Sequence, residues 1–281
     1  NRNRLNANLI RAPKGLKRHQ REINELIYST REGAKFSEIK RVEELLNQIK
    51  SAKESAIIGS GHLIAMTAAS KSISASGKLK EIWSGIESLT TVKNTLANSR
   101  EDNFCELCIK LKSIHTKFMS QARQILLVCE QRDMIEFTDN IKNHALSGHQ
   151  FDPSSGKIEL DLESSHKSSC YTTNTQVNFC ARSYETVSSG HPDAPILSVL
   201  GGILRNGYLH QAIREIGGAY GGGASQDSDS GAFRFFSYRD PRLSETLDDF
   251  DEAIAWIKSK PATEQMIEAV SYTHLTLPTI Y

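Results

Sequence analysis

The sequence contains 281 residues, with 34 Lys and Arg against 33 Asp and Glu, which gives a formal net charge of +1 at pH 7. At roughly 150 residues per domain this length predicts about two domains, and the near-zero charge excludes a global field that would attract nucleic acid. No apolar run reaches the ~18 residues of a membrane span, and an odd count of five cysteines argues against a disulfide framework.

Apolar residues at helical spacing dominate the first half of the chain. They recur every three or four residues, which places them on one face of an α-helix. We expect Gly59-Ser60-Gly61 to break this pattern, and a compact apolar run at Ile125–Cys129 predicts a buried strand. The predicted helices cover Lys17–Tyr28, Glu38–Ala56, His62–Ser70, Leu79–Leu89 and Phe104–Phe118.

Strands join the helices in the second half. The polar stretch His144–Cys170 predicts a connection between domains, with one short strand at Ile158–Leu162. Apolar and polar residues then alternate over Val177–Ala181, which predicts a strand. Because strands and helices are not evenly interleaved, the predicted fold class is α+β. The remaining predicted elements are strands at Ala219–Ala224 and Phe233–Tyr238, a loop at Ser225–Gly231 between them, and helices at Pro195–Leu204 and Leu243–Ile257, the second opened by Asp240-Pro241.

Charge is distributed unevenly along the chain. Residues 1–60 hold 13 Lys and Arg against 7 Asp and Glu, whereas residues 227–252 hold eight acidic residues against three arginines. Such runs are ordinary on solvated helix faces and loops. A basic inner wall for an acidic ligand is the alternative, and the sequence leaves it open.

Complete catalytic or metal-binding motifs are absent from the sequence. The stretch His19–Glu22 begins like the inverted zinc motif His-x-x-Glu-His, but Ile23 stands where the second histidine is needed. Cys105 and Cys108 form one Cys-x-x-Cys pair, and a structural zinc site needs two more ligands. We therefore predict no metal site in this chain and expect both cysteines to pack on a helix. Ser60–His62 predicts a helix cap rather than a nucleophile.

The densest feature of the sequence is Ile213–Ala224. Five of the seven residues from 217 to 223 are glycine, and Tyr220 lies among them. A phosphate-binding loop would continue with a lysine and a helix, but the polar residues Ser225–Asp227 follow here. Glycines in a strand permit close approach of another backbone. The motif therefore predicts a groove toward which Arg214 and Tyr220 could both project, with a glycine-rich edge strand and a stacking tyrosine as the alternative.

The chain resembles a known family at several of these motifs. Leu209–Gly223, followed by Ser237–Pro241 and the helix Thr246–Ile257, closely resembles the presequence proteases. These form the oligopeptide-degrading branch of the insulinase-like (pitrilysin) zinc metallopeptidases. Glu54–Ala65 and Leu79–Leu89 resemble the third-domain region of the same family.

This resemblance implies a zinc-dependent endopeptidase that degrades short or unfolded peptides. The family has four homologous α+β domains in two halves that close over a chamber, and its zinc is bound in the first domain, so this chain would supply part of the non-zinc half. Tyr220 would stabilise the oxyanion, and Arg214 would hold the substrate backbone. Ile216 replaces a lysine common in the family, without altering either residue. The residues that would let the peptide lie close are Gly217, Gly218, Gly221 and Gly222.

The resemblance also implies two partial insulinase-like domains. We expect the C-terminal part of the third domain at 1–150, a linker at 151–170 and the N-terminal part of the fourth domain at 171–270. Residues 271–281 resemble translated sequencing adapter and are excluded. Because Asn1 stands in place of a methionine, we expect an internal piece of a longer protein, cytoplasmic if bacterial and in the mitochondrial or plastid matrix if eukaryotic. The expected partners are a peptide substrate and the N-terminal zinc-binding half of the same polypeptide, with neither nucleic acid nor membrane.

Three other classes of function stay open. The first is a non-catalytic structural or peptide-binding homologue of the same fold. The second is a nucleotide-binding module that uses the glycine motif, although the lysine and following helix are missing. The third is a self-sufficient enzyme, for which no complete nucleophile or metal constellation is present.

Overall fold

The computed structural model describes residues 9–98, 101–120, 125–145, 160 and 168–275. These residues divide into two compact units. The fold class is α+β with a helix-rich first part, as predicted. The predicted domain boundaries stay a prediction, and most of the predicted linker and the strand at Ile158–Leu162 lie outside the described residues. The first unit takes its residues from 49–93 and 158–281, and the second from 6–48 and 94–157.

Amphipathic helices form most of the first half, because apolar residues at three- and four-residue spacing give each helix one face to bury. The predicted break at Gly59–Gly61 is a kink inside α2, where Ser60 has non-helical angles (φ −141°, ψ 30°). A helix therefore continues on both sides of the glycine pair. The bounds are α1 Gln20–Glu32, α2 Ile39–Ser70, α3 Ala75–Ser84, α4 Ile86–Ala97, α5 Glu101–Met119 and α6 Met134–Ala145.

In the second unit, α1 packs against α6. The Asn140 amide donates to Gln20 Oε1 at 3.2 Å, and Lys17 pairs with the buried Asp133. The buried strand predicted at Ile125–Cys129 is wrong. Leu126 and Val128 are 89% and 85% exposed there and the segment has no regular structure, because none of the described strands pairs with it.

The first unit contains a three-stranded antiparallel sheet of order β1-β3-β2. The predicted hairpin is confirmed, with a turn in which Gly231 adopts a positive φ of 64°. The strand predicted at Val177–Ala181 begins only at Ala181, and Asn178 forms an isolated bridge to Asp240. Among the described strands, β2 is therefore an edge strand. The bounds are β1 Ala181–Glu185, β2 Gly221–Asp227 and β3 Ala232–Tyr238.

Three further α-helices and one π-helix complete this unit. Pro195 lies in the first turn of α7, where its missing N–H costs no hydrogen bond. The chain continues directly from α7 into the π-helix, which the sequence pattern did not predict. The segment assigned to adapter sequence begins inside α9, and residues 276–281 lie outside the described residues. The bounds are α7 Ala194–Leu204, the π-helix Arg205–Ile216, α8 Ser244–Ser259 and α9 Glu264–Leu275.

Each face of the sheet packs against helices. One face is covered by α7, the π-helix and α8, and the aromatic rings of Phe235 and Phe250 lie fully buried between them. The other face contacts α2 and α3 through a Ser70–Ser183 hydroxyl contact of 3.0 Å and an ion pair of Lys80 with the buried carboxylate of Asp227. The sheet is thus held from both sides close to the glycine-rich strand.

Candidate functional site

Arg214 and Tyr220 come together at the end of the π-helix. Arg214 lies in the last turn, and Tyr220 directly precedes β2. Between them the chain reverses, because the amide of Gly218 donates to the carbonyl of Arg214 at 3.2 Å and Gly218 adopts a φ of +78°, which favours glycine. The Arg214 guanidinium carbon lies 5.9 Å from the centroid of the Tyr220 ring. The reversal therefore places the two predicted catalytic side chains side by side.

Both side chains are open to solvent. Tyr220 is 67% exposed, and Arg214 is also exposed. Within the described ranges neither side chain has a hydrogen-bond or ion-pair partner, and their one mutual contact is the guanidinium–ring approach. A phenolic donor and a fixed cation are therefore both available to a ligand.

The four glycines predicted to admit a peptide differ in their surroundings. A Cβ on Gly222 would lie 2.8 Å from the Ile213 side chain, and a Cβ on Gly217 would collide with the Arg242 guanidinium. Gly218 is needed for its positive φ. A Cβ on Gly221 would meet no atom within 4 Å. Packing and backbone conformation thus explain three of the glycines, and Gly221 alone of the four leaves open space above the strand.

The position of β2 suits the binding of an extended peptide. As the outermost described strand it presents backbone groups at the sheet edge, and an edge strand can bind a peptide as an added strand. Gly221 at its start lies next to Tyr220, so a peptide paired here would pass the phenol. The geometry brings a peptide-length edge and two polar side chains into one place.

Sequence reasoning missed the residues that support Tyr220 from below. The Tyr220 amide donates to the carbonyl of Arg239 at 3.3 Å, and its ring meets the Tyr238 ring edge-on at 5.5 Å. Arg239 has a positive φ of 49°, and the turn after it is fixed by Asp240, a fully buried carboxylate that accepts from the Thr246 hydroxyl at 2.7 Å. The signal was present as the stretch Ser237–Pro241, which pattern alone does not connect to the glycine motif.

His62 belongs to the same aromatic cluster and is not a helix cap. Its ring lies 4.7 Å from that of Tyr238 and 5.5 Å from that of Phe236. Its Nδ1 atom is buried without a hydrogen-bond partner among the described residues, and burial lowers the pKa of His62 below its ordinary value. The neutral ring therefore acts as packing surface at this site.

A second arginine lies along the edge strand. The Arg205 side chain starts at the first residue of the π-helix, and its Nε is 2.9 Å from the point that a Cβ on Gly223 would occupy. Among the described residues it has no ion-pair partner, and Nε is buried without a hydrogen bond. Nothing in the local sequence distinguishes it from an ordinary surface arginine.

Metal binding is not supported by the described part of the chain. No group of three or more His, Cys, Asp or Glu side chains could hold a metal ion there. Cys105 is exposed and Cys108 buried on α5, and both are free thiols. These residues do not fit zinc, so the roles of Arg214 and Tyr220 are derived without it. No described helix combines the length and apolar character that a membrane crossing requires.

Comparisons with known proteins point to one family. A family model described as PreP C-terminal domain matches residues 169–276, and a second model, described as a peptidase-associated domain, matches residues 1–94. A mitochondrial presequence protease of Drosophila melanogaster is 32% identical over 232 residues, which cover 80% of this chain and 21% of that protein. Those of Emericella nidulans and Aspergillus fumigatus are 31% and 32% identical, over 80% and 75% of this chain and 22% and 20% of theirs. The chain thus spans about a fifth of the length of these relatives.

Proposed function

The chain belongs to the presequence protease-like branch of the insulinase-like peptidases, and from this membership we propose that it supplies part of the non-zinc half of a zinc-dependent endopeptidase. Its substrates would be short or unfolded peptides, as the name presequence protease of its relatives suggests. The other half would hold the zinc and would be the chain's main partner. We call the two halves together the assembled peptidase. In this proposal neither nucleic acid nor membrane is a partner.

The observation that carries the proposal is the pairing of Arg214 with Tyr220 beside an open edge strand. Hydrolysis of a peptide bond turns the carbonyl oxygen into an oxyanion, which is stabilised most by donors already aimed at it. The exposed Tyr220 hydroxyl is such a donor, and the adjacent Arg214 guanidinium can hold a backbone carbonyl through its fixed fork of N–H groups. The two side chains would therefore act on neighbouring oxygens of one peptide.

The edge strand explains how the peptide is oriented. A peptide that adds to β2 in the extended conformation presents its carbonyls at regular intervals along the strand. The open space above Gly221 lets its backbone approach where Tyr220 projects. Backbone pairing is independent of side-chain identity, which suits an enzyme that degrades peptides of many sequences.

The compartment follows from the organism. The relatives are named mitochondrial, so for a eukaryotic source we place the assembled peptidase in the mitochondrial or plastid matrix. For a bacterial source the cytoplasm is the corresponding compartment.

The isolated chain is expected to be inactive on its own. The described residues provide peptide-binding and donor groups and no metal-ligand set, so a fluorogenic peptide should stay intact with the purified chain. Adding the zinc-binding half should produce cleavage, which a chelator should abolish. Cleavage by the purified chain alone would show a self-sufficient enzyme. Peptide binding without cleavage in the assembled form would favour the non-catalytic homologue.

Arg214→Ala should mainly raise KM in the assembled peptidase. An interaction made equally in ground state and transition state affects binding more than turnover, and loss of a charged hydrogen bond of about 1.5–3 kcal/mol corresponds to a 10- to 150-fold change. Steady-state kinetics on one peptide measures both constants. Arg239→Ala is the matched control, since that guanidinium lies over Tyr238 rather than Tyr220. An unchanged KM in Arg214→Ala would contradict the clamp.

A further inference from the structure

Tyr238 connects the glycine motif to the kinked helix α2. It is the last residue of β3 and pairs with Gly221 in the sheet register. Its ring contacts Tyr220 edge-on, with the centroids 5.5 Å apart and the planes at 89°. On the other side its hydroxyl donates to the Gly59 carbonyl at 3.1 Å. Tyr238 thus lies between Tyr220 and a backbone carbonyl of α2.

The kink explains why this carbonyl can accept. Inside a regular helix a carbonyl points along the axis toward the amide four residues later. Helical geometry is interrupted at Ser60, the residue after Gly59, and carbonyls beside a kink tilt out of the helical ladder. Gly61 allows the kinked segment to approach the sheet, because a Cβ there would collide with the Phe179 ring. The Gly-Ser-Gly sequence therefore builds an acceptor for Tyr238.

The Tyr238 ring is enclosed by neighbouring rings. His62 lies 4.7 Å and Phe179 lies 5.8 Å from it, centroid to centroid, and the Arg239 guanidinium carbon lies 5.5 Å from the ring centroid. A ring packed on these sides and fixed at its hydroxyl has little rotational freedom. The exposed ring of Tyr220 has one wall, and Tyr238 forms it.

We propose that Tyr238, fixed by the Gly59 carbonyl at the α2 kink, is a positioning residue that sets the orientation of the Tyr220 phenol toward the substrate oxyanion. This inference rests on the proposed function. A donor on a 67% exposed side chain samples several rotamers unless a neighbour restricts it. Groups that act on a transition state must be held within about 0.5 Å of the productive geometry, and residues outside direct contact with substrate supply that restraint.

The test is a double-mutant cycle in the assembled peptidase. Tyr238→Phe keeps the ring and removes the bond to Gly59, so kcat should fall about threefold to tenfold, as expected for one hydrogen bond, with KM unchanged. In a Tyr220→Phe background the same substitution should have no further effect on kcat, because the group that it positions no longer has a hydroxyl. Tyr184→Phe is the matched control, since its hydroxyl bonds Asp251 on the opposite face of the same sheet, and its kcat should equal the parental value.

Each outcome decides the inference. An unchanged kcat in Tyr238→Phe overturns it, and so does an equal fall in both backgrounds, which would show a structural role independent of Tyr220. If Tyr220→Phe itself retains the parental kcat, the proposed function of Tyr220 fails first, and the cycle identifies that failure separately. Thermal unfolding of each variant checks that the comparison is made between folded proteins.

Discussion

Tyr220→Phe is expected to lower kcat of the assembled peptidase by roughly 10²–10³-fold while KM changes little. Removing one oxyanion donor costs about 2.7–4 kcal/mol of transition-state stabilisation in comparable sites. The bond is strongest in the transition state, so its loss lowers kcat and kcat/KM together. Phenylalanine keeps the ring, so the edge-on contact with Tyr238 is preserved. Steady-state kinetics on one fluorogenic peptide gives both constants.

The control for this prediction is Tyr171→Phe. Tyr171 is also an exposed tyrosine, at 48%, and it lies outside the site, so removal of its hydroxyl should leave both constants unchanged. Near-parental kcat in Tyr220→Phe would mean that Tyr220 is a packing residue on a glycine-rich strand. The assignment of the chain to its family would stand even then, because it does not depend on this hydroxyl.

Gly222→Ala should destabilise the chain, whereas Gly221→Ala should not. A Cβ at Gly222 would lie 2.8–3.1 Å from three atoms of the Ile213 side chain, all within the core between β2 and the π-helix. Such overpacking typically lowers the free energy of unfolding by about 1–3 kcal/mol. At Gly221 a Cβ meets open space and φ is not positive, so the change should stay within about 0.5 kcal/mol. Urea titration of both variants measures the difference.

The same two variants should behave in the reverse order toward substrate binding. In the assembled peptidase the methyl group of Gly221→Ala would occupy space that we assign to the peptide, so KM should rise although stability is kept. Equal stability of the two variants would contradict the packing described for Gly222. An unchanged KM in Gly221→Ala would remove the peptide from this end of β2.

Local patterns predicted the parts of the fold that depend on neighbouring residues. The hairpin of β2 and β3, the helix after Pro195 and the break in α2 at Ser60 all follow from periodicity, glycine and proline. The pairing of Arg214 with Tyr220 was also within reach, because only the short glycine reversal separates them.

Contacts between distant residues could not be predicted in this way. Tyr238 and Gly59 are separated by 179 positions, and no spacing rule links a strand end to a helix kink. For the same reason His62 was interpreted as part of a cap, although its neighbours are the rings of Phe236 and Tyr238. Ile125–Cys129 failed because an apolar run does not show whether a strand exists to pair with it.

The π-helix determines which way its arginines face. Arg205 and Arg214 are nine residues apart, which in an α-helix of 3.6 residues per turn is two and a half turns, so their side chains would leave opposite sides. With i→i+5 bonding and about 4.4 residues per turn the same separation is close to two full turns. Both guanidinium groups therefore project from one side, Arg205 over Gly223 and Arg214 over Tyr220. A single-residue deletion between them would restore α-helical phase and separate the two charges, so the length of this segment should resist insertion and deletion more strictly than its composition resists substitution.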